Sequence, residues 1–246
     1  MILMYHHIAT NPGPNAVSPE NFARQMDLIA KDGREVVSMD AYAERVRKGD
    51  PVDHLIAITF DDAYISFKEH ALPVLEANGF PATVYVPTNF VGHSNTWDDG
   101  AYPIMDWEAL WEVAHASGIT IGSHGMGHRR MRTLDTESLR EKTRKSRDIL
   151  QAELQVEIRH FSYPYGQLRD YDQRCMDAVR DAGYDSGVST LWGWNGGRPH
   201  PFELQRLEIE PVDDMQRFAS KISRPFHPRW WRQRAKNLLF HLHLRR

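Results

Sequence analysis

Short apolar runs alternate with stretches of helical periodicity, about eight times over the first 210 or so residues, and no other feature of this chain restricts its fold as strongly. The candidate strands are Ile2–Tyr5, Glu35–Ser38, Leu55–Phe60, Ala82–Val86, Ile119–Gly122, His160–Tyr163, Ser186–Val188 and Leu204–Ile209. Between them lie helical patterns over Pro19–Lys31, Ala41–Lys48, Phe67–Asn78, Trp107–Ser117, Glu137–Leu154 and Asp172–Asp181. Ser18 before Pro19, and Asp135 before the fifth pattern, are helix-start signals; Gly33, Gly79, Gly118 and Gly183 fall where helices should stop. Such alternation predicts an α/β protein with a parallel sheet, whose buried strands read as unbroken apolar runs such as Leu55-Ile56-Ala57-Ile58. Periodicity leaves both an open doubly wound sheet and a closed barrel available. No glycine-rich phosphate loop follows the first strand, which favours a (β/α) barrel of about seven or eight parallel strands.

Composition sets the outer limits. At 41% hydrophobic and 26% charged residues the chain has ample material for a core and is not of the disordered class. Cys175 stands alone, so no intrachain disulfide forms. The opening Met1-Ile2-Leu3-Met4-Tyr5-His6-His7 is not a basic leader, and no apolar run reaches the roughly 18 residues of a membrane span. Together these features predict a soluble cytoplasmic protein. The net charge of −3 conceals an asymmetry: residues 215–246 carry nine Lys and Arg and no acid, whereas all 33 Asp and Glu precede them. The expected organisation is a barrel over 1–214 followed by a basic amphipathic helical extension over 215–246.

Polar chemistry collects where the strands end. The first strand runs into His6-His7, the third into Asp61-Asp62, the fifth into Ser123-His124 with His128 four residues on, and the sixth into Tyr163-Pro164-Tyr165-Gly166. Singly, each is more often a turn, a cap or a surface pair, but parallel α/β folds place catalytic groups at the carboxyl ends of several strands. A catalytic zinc-type site takes three protein ligands from imidazole and carboxylate and keeps one position open for water. Asp62, His124 and His128 supply that set, with cobalt, nickel and iron as acceptable as zinc. Such an ion lowers the pKa of water from 15.7 to roughly 7, leaving Asp61 to take the proton. His6, titrating near neutrality, is the candidate acid for the leaving group. A backbone N–H of the Pro164-Tyr165-Gly166 turn is a candidate oxyanion donor. The chemistry implied is metal-assisted hydrolysis of an amide or ester.

Thr59-Phe60-Asp61-Asp62-Ala63-Tyr64, then Ser123-His124 with His128, then Phe161-Ser162-Tyr163-Pro164-Tyr165-Gly166 resemble the ordered motifs of the polysaccharide deacetylases, carbohydrate esterase family four. The opening Leu3-Met4-Tyr5-His6 is similar to the poly-N-acetylglucosamine deacetylase branch, in which the acid histidine comes from the first strand. The resemblance spans residue 2 to about residue 210 and implies a distorted (β/α) barrel, a divalent metal, and removal of N-acetyl groups from hexosamines. It implies Asp61 as base, Asp62, His124 and His128 as ligands, His6 as acid and Tyr165 as the oxyanion N–H. Two positions depart from the family pattern. Gly125 follows the first ligand histidine where Ser or Thr is usual, and Ser162 stands where an Arg normally pairs with the base. Arg206, on the last strand, is the expected substitute, with Arg159 as the alternative.

The segment Thr88–Met105 is long for a connection and contains Asn89 and Trp97. Asn89, Trp97 and Trp192, with Tyr165, are the candidate substrate-binding residues. In residues 224–246, Trp231, Ala235, Leu238 and Leu242 form one apolar stripe among basic residues, a pattern suited to a membrane interface. Packing on protein is the equal alternative, and the absence of a nucleic-acid motif argues against RNA or DNA as a partner. The expected function is therefore N-deacetylation of a bacterial glycan: lipopolysaccharide, a lipid-linked sugar at the inner membrane or an exopolysaccharide intermediate. The alternatives are a deformylase of a lipid-linked formamido sugar and a carbohydrate-binding pseudoenzyme.

Overall fold

Seven parallel strands close on themselves and an eighth lies outside the ring. The structure is a computed structural model describing residues 1–223 other than 11, 12, 14, 99 and 101. The first half contains β1 (Ile2–Tyr5), β2 (His7–Ile8), β3 (Ala16–Val17), α1 (Pro19–Asp32), β4 (Glu35–Val36), α2 (Met39–Lys48), β5 (Leu55–Phe60), α3 (Leu72–Asn78), β6 (Ala82–Val86) and α4 (Trp107–Ala114). The second half adds β7 (Ile119–Ser123), α5 (Thr136–Leu154), β8 (His160–Ser162), α6 (Gln173–Asp181), β9 (Ser186–Trp192), β10 (Leu204–Glu208) and α7 (Met215–Ser223). The sheet order is β1-β10-β9-β8-β7-β6-β5, and β1 pairs again with β5, Ile2 opposite Ala57 and Tyr5 opposite Phe60. That second pairing closes the distorted barrel. Strand β4 sits beside the first two residues of β5.

Local chemistry explains where element ends differ from the sequence reading. Ser38 belongs to no strand: its hydroxyl accepts the Ala41 N–H at 3.2 Å and caps α2, which therefore starts at Met39. The helix expected over Phe67–Asn78 is split into a π-helical turn, Phe67–Ala71, and α3. Pro73 has no N–H to give, and the Leu72 N–H reaches back five residues to the Phe67 carbonyl. Helix α4 stops at Ala114, and β9 continues four residues past Val188.

Ile2, Ala57, Tyr85, Val188 and Leu204, from five strands, pack with Met39, Tyr42 and Val46 of α2, which covers the amino-terminal end of the barrel. Each fully buried side chain of this size contributes about 1.5–3 kcal/mol. Tyr85 occupies space that Gly122 leaves open: a Cβ there would lie 2.5 Å from the ring. With the amino end filled, the carboxyl end is left for chemistry.

The first nine residues of the expected extension are α7, which turns Phe218 and Ile222 inward. Lys221 is buried too, ion-paired with Asp213 and donating to the Glu208 carbonyl at 2.9 Å. The stripe expected over 224–246 lies outside the described residues. Among the described residues, no helix is long and apolar enough to cross a membrane.

Candidate active site

Strand β5 delivers two adjacent carboxylates to the carboxyl end of the barrel. The Asp61 N–H still belongs to the ladder, donating to the Tyr5 carbonyl at 2.9 Å. At Asp62 and Ala63 the backbone turns left-handed, with φ of 72° and 53°. This turn sends the two side chains to different partners.

Asp61 is gripped by Arg206. The guanidinium donates from Nη1 to Oδ1 at 2.8 Å and from Nη2 to Oδ2 at 2.6 Å. Its Nε donates to the Ser189 carbonyl at 2.8 Å, and Nη1 and Nη2 also reach the hydroxyls of Thr59 and Ser162. The Ser162 hydroxyl donates to Asp61 Oδ2 at 3.2 Å. Burial would raise the Asp61 pKa, but Arg206, His124 and His6 outweigh it and hold the carboxyl well below the usual range. Arg206 is thus the partner of the expected base, and the Ser162 hydroxyl bonds to both. Arg159 is at the surface with Glu157 and Asp40, away from this site.

Asp62 faces His124 and His128. Its Oδ1 lies 3.5 Å from His124 Nε2 and 3.4 Å from His128 Nε2. One donor atom from each residue falls within 4.8 Å of the others, and all three residues are buried. Burial, with the neighbouring Asp61 next, pushes Asp62 well above the carboxylate range. Burial pushes His124 down to about 4 and, with His124 next, His128 down to about 2, so both imidazoles are neutral. His124 Nδ1 lies 2.8 Å from the Ser162 carbonyl, which fixes the proton on Nδ1 and leaves a lone pair on Nε2. Asp62 Oδ1 is buried without a hydrogen-bond partner. A carboxylate oxygen facing an imidazole lone pair lacks a positive charge between them, so these residues fit a divalent cation.

His6, just past β1, joins Asp61, Asp62, His124 and His128 in one cavity of about 210 Å³. It is half-buried and its Nδ1 has no hydrogen-bond partner. Burial lowers its pKa, against the pull of Asp61 and Glu208. Tyr165 and Trp97 complete the mouth. The Trp97 ring stacks on His128 at 4.1 Å and 17°, so it both pins the loop and lines the cavity. Tyr165 takes a φ of 62° ahead of Gly166, where a Cβ would meet the Thr190 nitrogen at 2.7 Å. Of the seven non-glycine residues with positive φ among the described residues, Asn15, Asp62, His128 and Tyr165 line this cavity. Each such conformation costs on the order of 1–3 kcal/mol and concentrates at functional sites.

Two expected substrate-binding residues lie elsewhere. Asn89 braces the far side of the His124–His128 loop, its N–H donating to the Met126 carbonyl at 2.9 Å. Trp192 is buried against Trp194, beyond a register shift that sets Arg206 opposite Trp192. The cavity also includes Asp98 of the long loop, and Glu208, Gln167 and Thr190, which the sequence did not single out. Glu208 had a usable signal: two residues past Arg206 on the same strand, it shares a face with it. Gly125 adopts a φ of 72°, the left-handed region that glycine suits better than the Ser or Thr usual at this position.

Comparison with known proteins gives a consistent assignment. The polysaccharide deacetylase family model matches residues 48–187. YxkH of Bacillus subtilis, named for the same family, is 25% identical over 211 residues, covering 85% of this chain and 71% of YxkH. The Streptococcus pyogenes deacetylase PplD, solved with acetate, superposes with a TM-score of 0.74 at 22% identity, covering 91% of this chain and 97% of its own. IcaB from Ammonifex degensii superposes at 0.78 with 21% identity and the same coverage.

Proposed function

Because the chain belongs to the polysaccharide deacetylase family, we propose that it hydrolyses N-acetyl groups from the hexosamine residues of a glycan, using a divalent metal held by Asp62, His124 and His128. The observation that carries this reading is the meeting of the Asp61–Arg206 pair, the three-donor cluster and His6 in one cavity. When bound, a divalent ion acidifies water and polarises the amide carbonyl. Asp61, ionised and aligned by Arg206, accepts the proton as water adds to that carbonyl. His6 delivers a proton to the departing nitrogen, giving acetate and a free amine. The Tyr165 N–H supports the negative charge that develops on the carbonyl oxygen.

The test is amine release from N-acetylglucosamine oligosaccharides by the zinc-loaded protein. Asp61→Asn should lower turnover by about 10²–10⁴-fold, the usual contribution of a positioned base. Failure of the wild type to release amine from any N-acetylated glycan would contradict the reading.

The finer substrate proposal is a lipid-linked sugar met at the cytoplasmic face of a membrane, supported by the basic sequence of 224–246. Equal sedimentation with anionic vesicles by the full chain and a chain ending at Arg224 would remove that support.

A further inference from the structure

A second groove opens beside the catalytic cavity and shares Trp97, His128 and Tyr165 with it. Its remaining walls include Arg129 and Arg130, and no carboxylate lines it. The catalytic cavity itself carries the opposite character, with Glu208 and Asp98 at its edge.

The two arginines differ in how they are held. Arg130 is ion-paired with Asp170, and its guanidinium lies 4.4 Å from the centre of the Tyr165 ring. Asp170 is itself buried and fixed by the Gln167 N–H at 3.0 Å. One Nη1 bond to Asp170 leaves Arg130 most of its five N–H donors. Arg129 is exposed and makes no ion pair among the described residues. A guanidinium held in place by Asp170 beside a free one, in a groove whose lining includes no carboxylate, is a recognition arrangement for an oxyanion.

We propose that the Arg129–Arg130 groove binds an anionic group, phosphate or carboxylate, attached to the sugar whose acetamido group enters the catalytic cavity. The inference rests on the deacetylase reading for the identity of that sugar. A neutral homopolymer would leave both arginines unused, whereas a glycosyl phosphate or a uronic acid neighbour would fill the groove.

The experiment is calorimetric titration of the full chain with N-acetylglucosamine, N-acetylglucosamine 1-phosphate and a hyaluronan tetrasaccharide, repeated with Arg129→Gln. At least one anionic ligand should bind about tenfold or more tightly than the neutral sugar. Arg129→Gln should remove most of that difference and leave the neutral sugar's Kd unchanged. The tighter of the two anions identifies phosphate or carboxylate as the source. Equal Kd for all three ligands, or equal weakening of all by Arg129→Gln, would overturn the proposal. Amine release measured alongside keeps the two readings apart: an anion preference without deacetylation indicts the reaction and not the groove.

Discussion

Arg206 holds Asp61 through both carboxylate oxygens, at 2.8 and 2.6 Å, with neither side chain open to solvent. The pair links the end of β5 to β10, the two strands that flank β1, and keeps ionised a carboxylate that burial alone would neutralise.

Removing one partner leaves the other buried and unpaired. Arg206→Ala should therefore cost about 3–5 kcal/mol in denaturant unfolding. Arg206→Lys keeps the charge but loses the fork, and should cost less while still lowering turnover. Metal content should stay that of the wild type in any variant that folds, because Arg206 bonds to Asp61 and not to the three donors. Unaltered turnover in Arg206→Lys would contradict the assignment of Arg206 as the orienting partner of the base.

Among the described residues His6 makes no hydrogen bond or ion pair to Arg206, Asp61 or the donor cluster, so its removal isolates the proposed acid step. His6→Gln should lower kcat by about 10²-fold or more with metal content and unfolding midpoint unchanged. A loss confined to KM would place His6 in binding instead.

The buried histidines set an acid limit on the metal-free protein. His124 is pushed down to about 4 from an ordinary 6.5, so the unfolded chain takes up a proton there before the folded one does. Its stabilising contribution is complete above 6.5 and is lost as pH falls from there through about 4. His128, lower still, adds to the same slope. Asp61 acts in a different window: its contribution is complete above 3.8 and is lost only below that value. Asp62 works against that slope, because burial lifts it above its ordinary 3.8 and the folded chain takes up that proton first. After chelation, unfolding midpoints should therefore fall less steeply, or rise, between pH 6.5 and 4 when His124 is Ala, compared with the wild type. Identical profiles for the wild type and His124→Ala would contradict the neutral, buried state of the His124 ring.

The barrel interior is equally specific. A Cβ at Gly122 would lie 2.5 Å from the Tyr85 ring and 2.9 Å from the His160 carbonyl. Gly122→Ala should destabilise the fold by about 1–3 kcal/mol, and the double variant with Tyr85→Leu should recover part of it. No change in melting temperature for Gly122→Ala would contradict the packing described between β6 and β7.

Much of this was legible before the structure, and the limits were physical. Apolar runs placed the strands because parallel strands are buried on both faces, and Asp61, Asp62, His124 and His128 were readable because strand ends carry the chemistry. Closure of β1 on β5 was not readable from periodicity, since it joins segments more than fifty residues apart. Arg206 emerged from a gap: Ser162 left the base without a partner, and one arginine stood on the last strand. Trp192 misled because its direction depends on the register shift between β9 and β10, and Asn89 because a long loop can support a site from behind as well as line it. Arg129 and Arg130 belong to no motif in the sequence, and only the groove beside Tyr165 gives them a place.

Metal content tests the account most directly, because every step of the proposed chemistry depends on the cluster of Asp62, His124 and His128 and none of the measurement depends on the substrate. Inductively coupled plasma mass spectrometry of the purified full chain, beside His124→Ala, should find close to one divalent ion per wild-type chain and little in the variant. Both proteins metal-free, even after dialysis against zinc, would contradict the account.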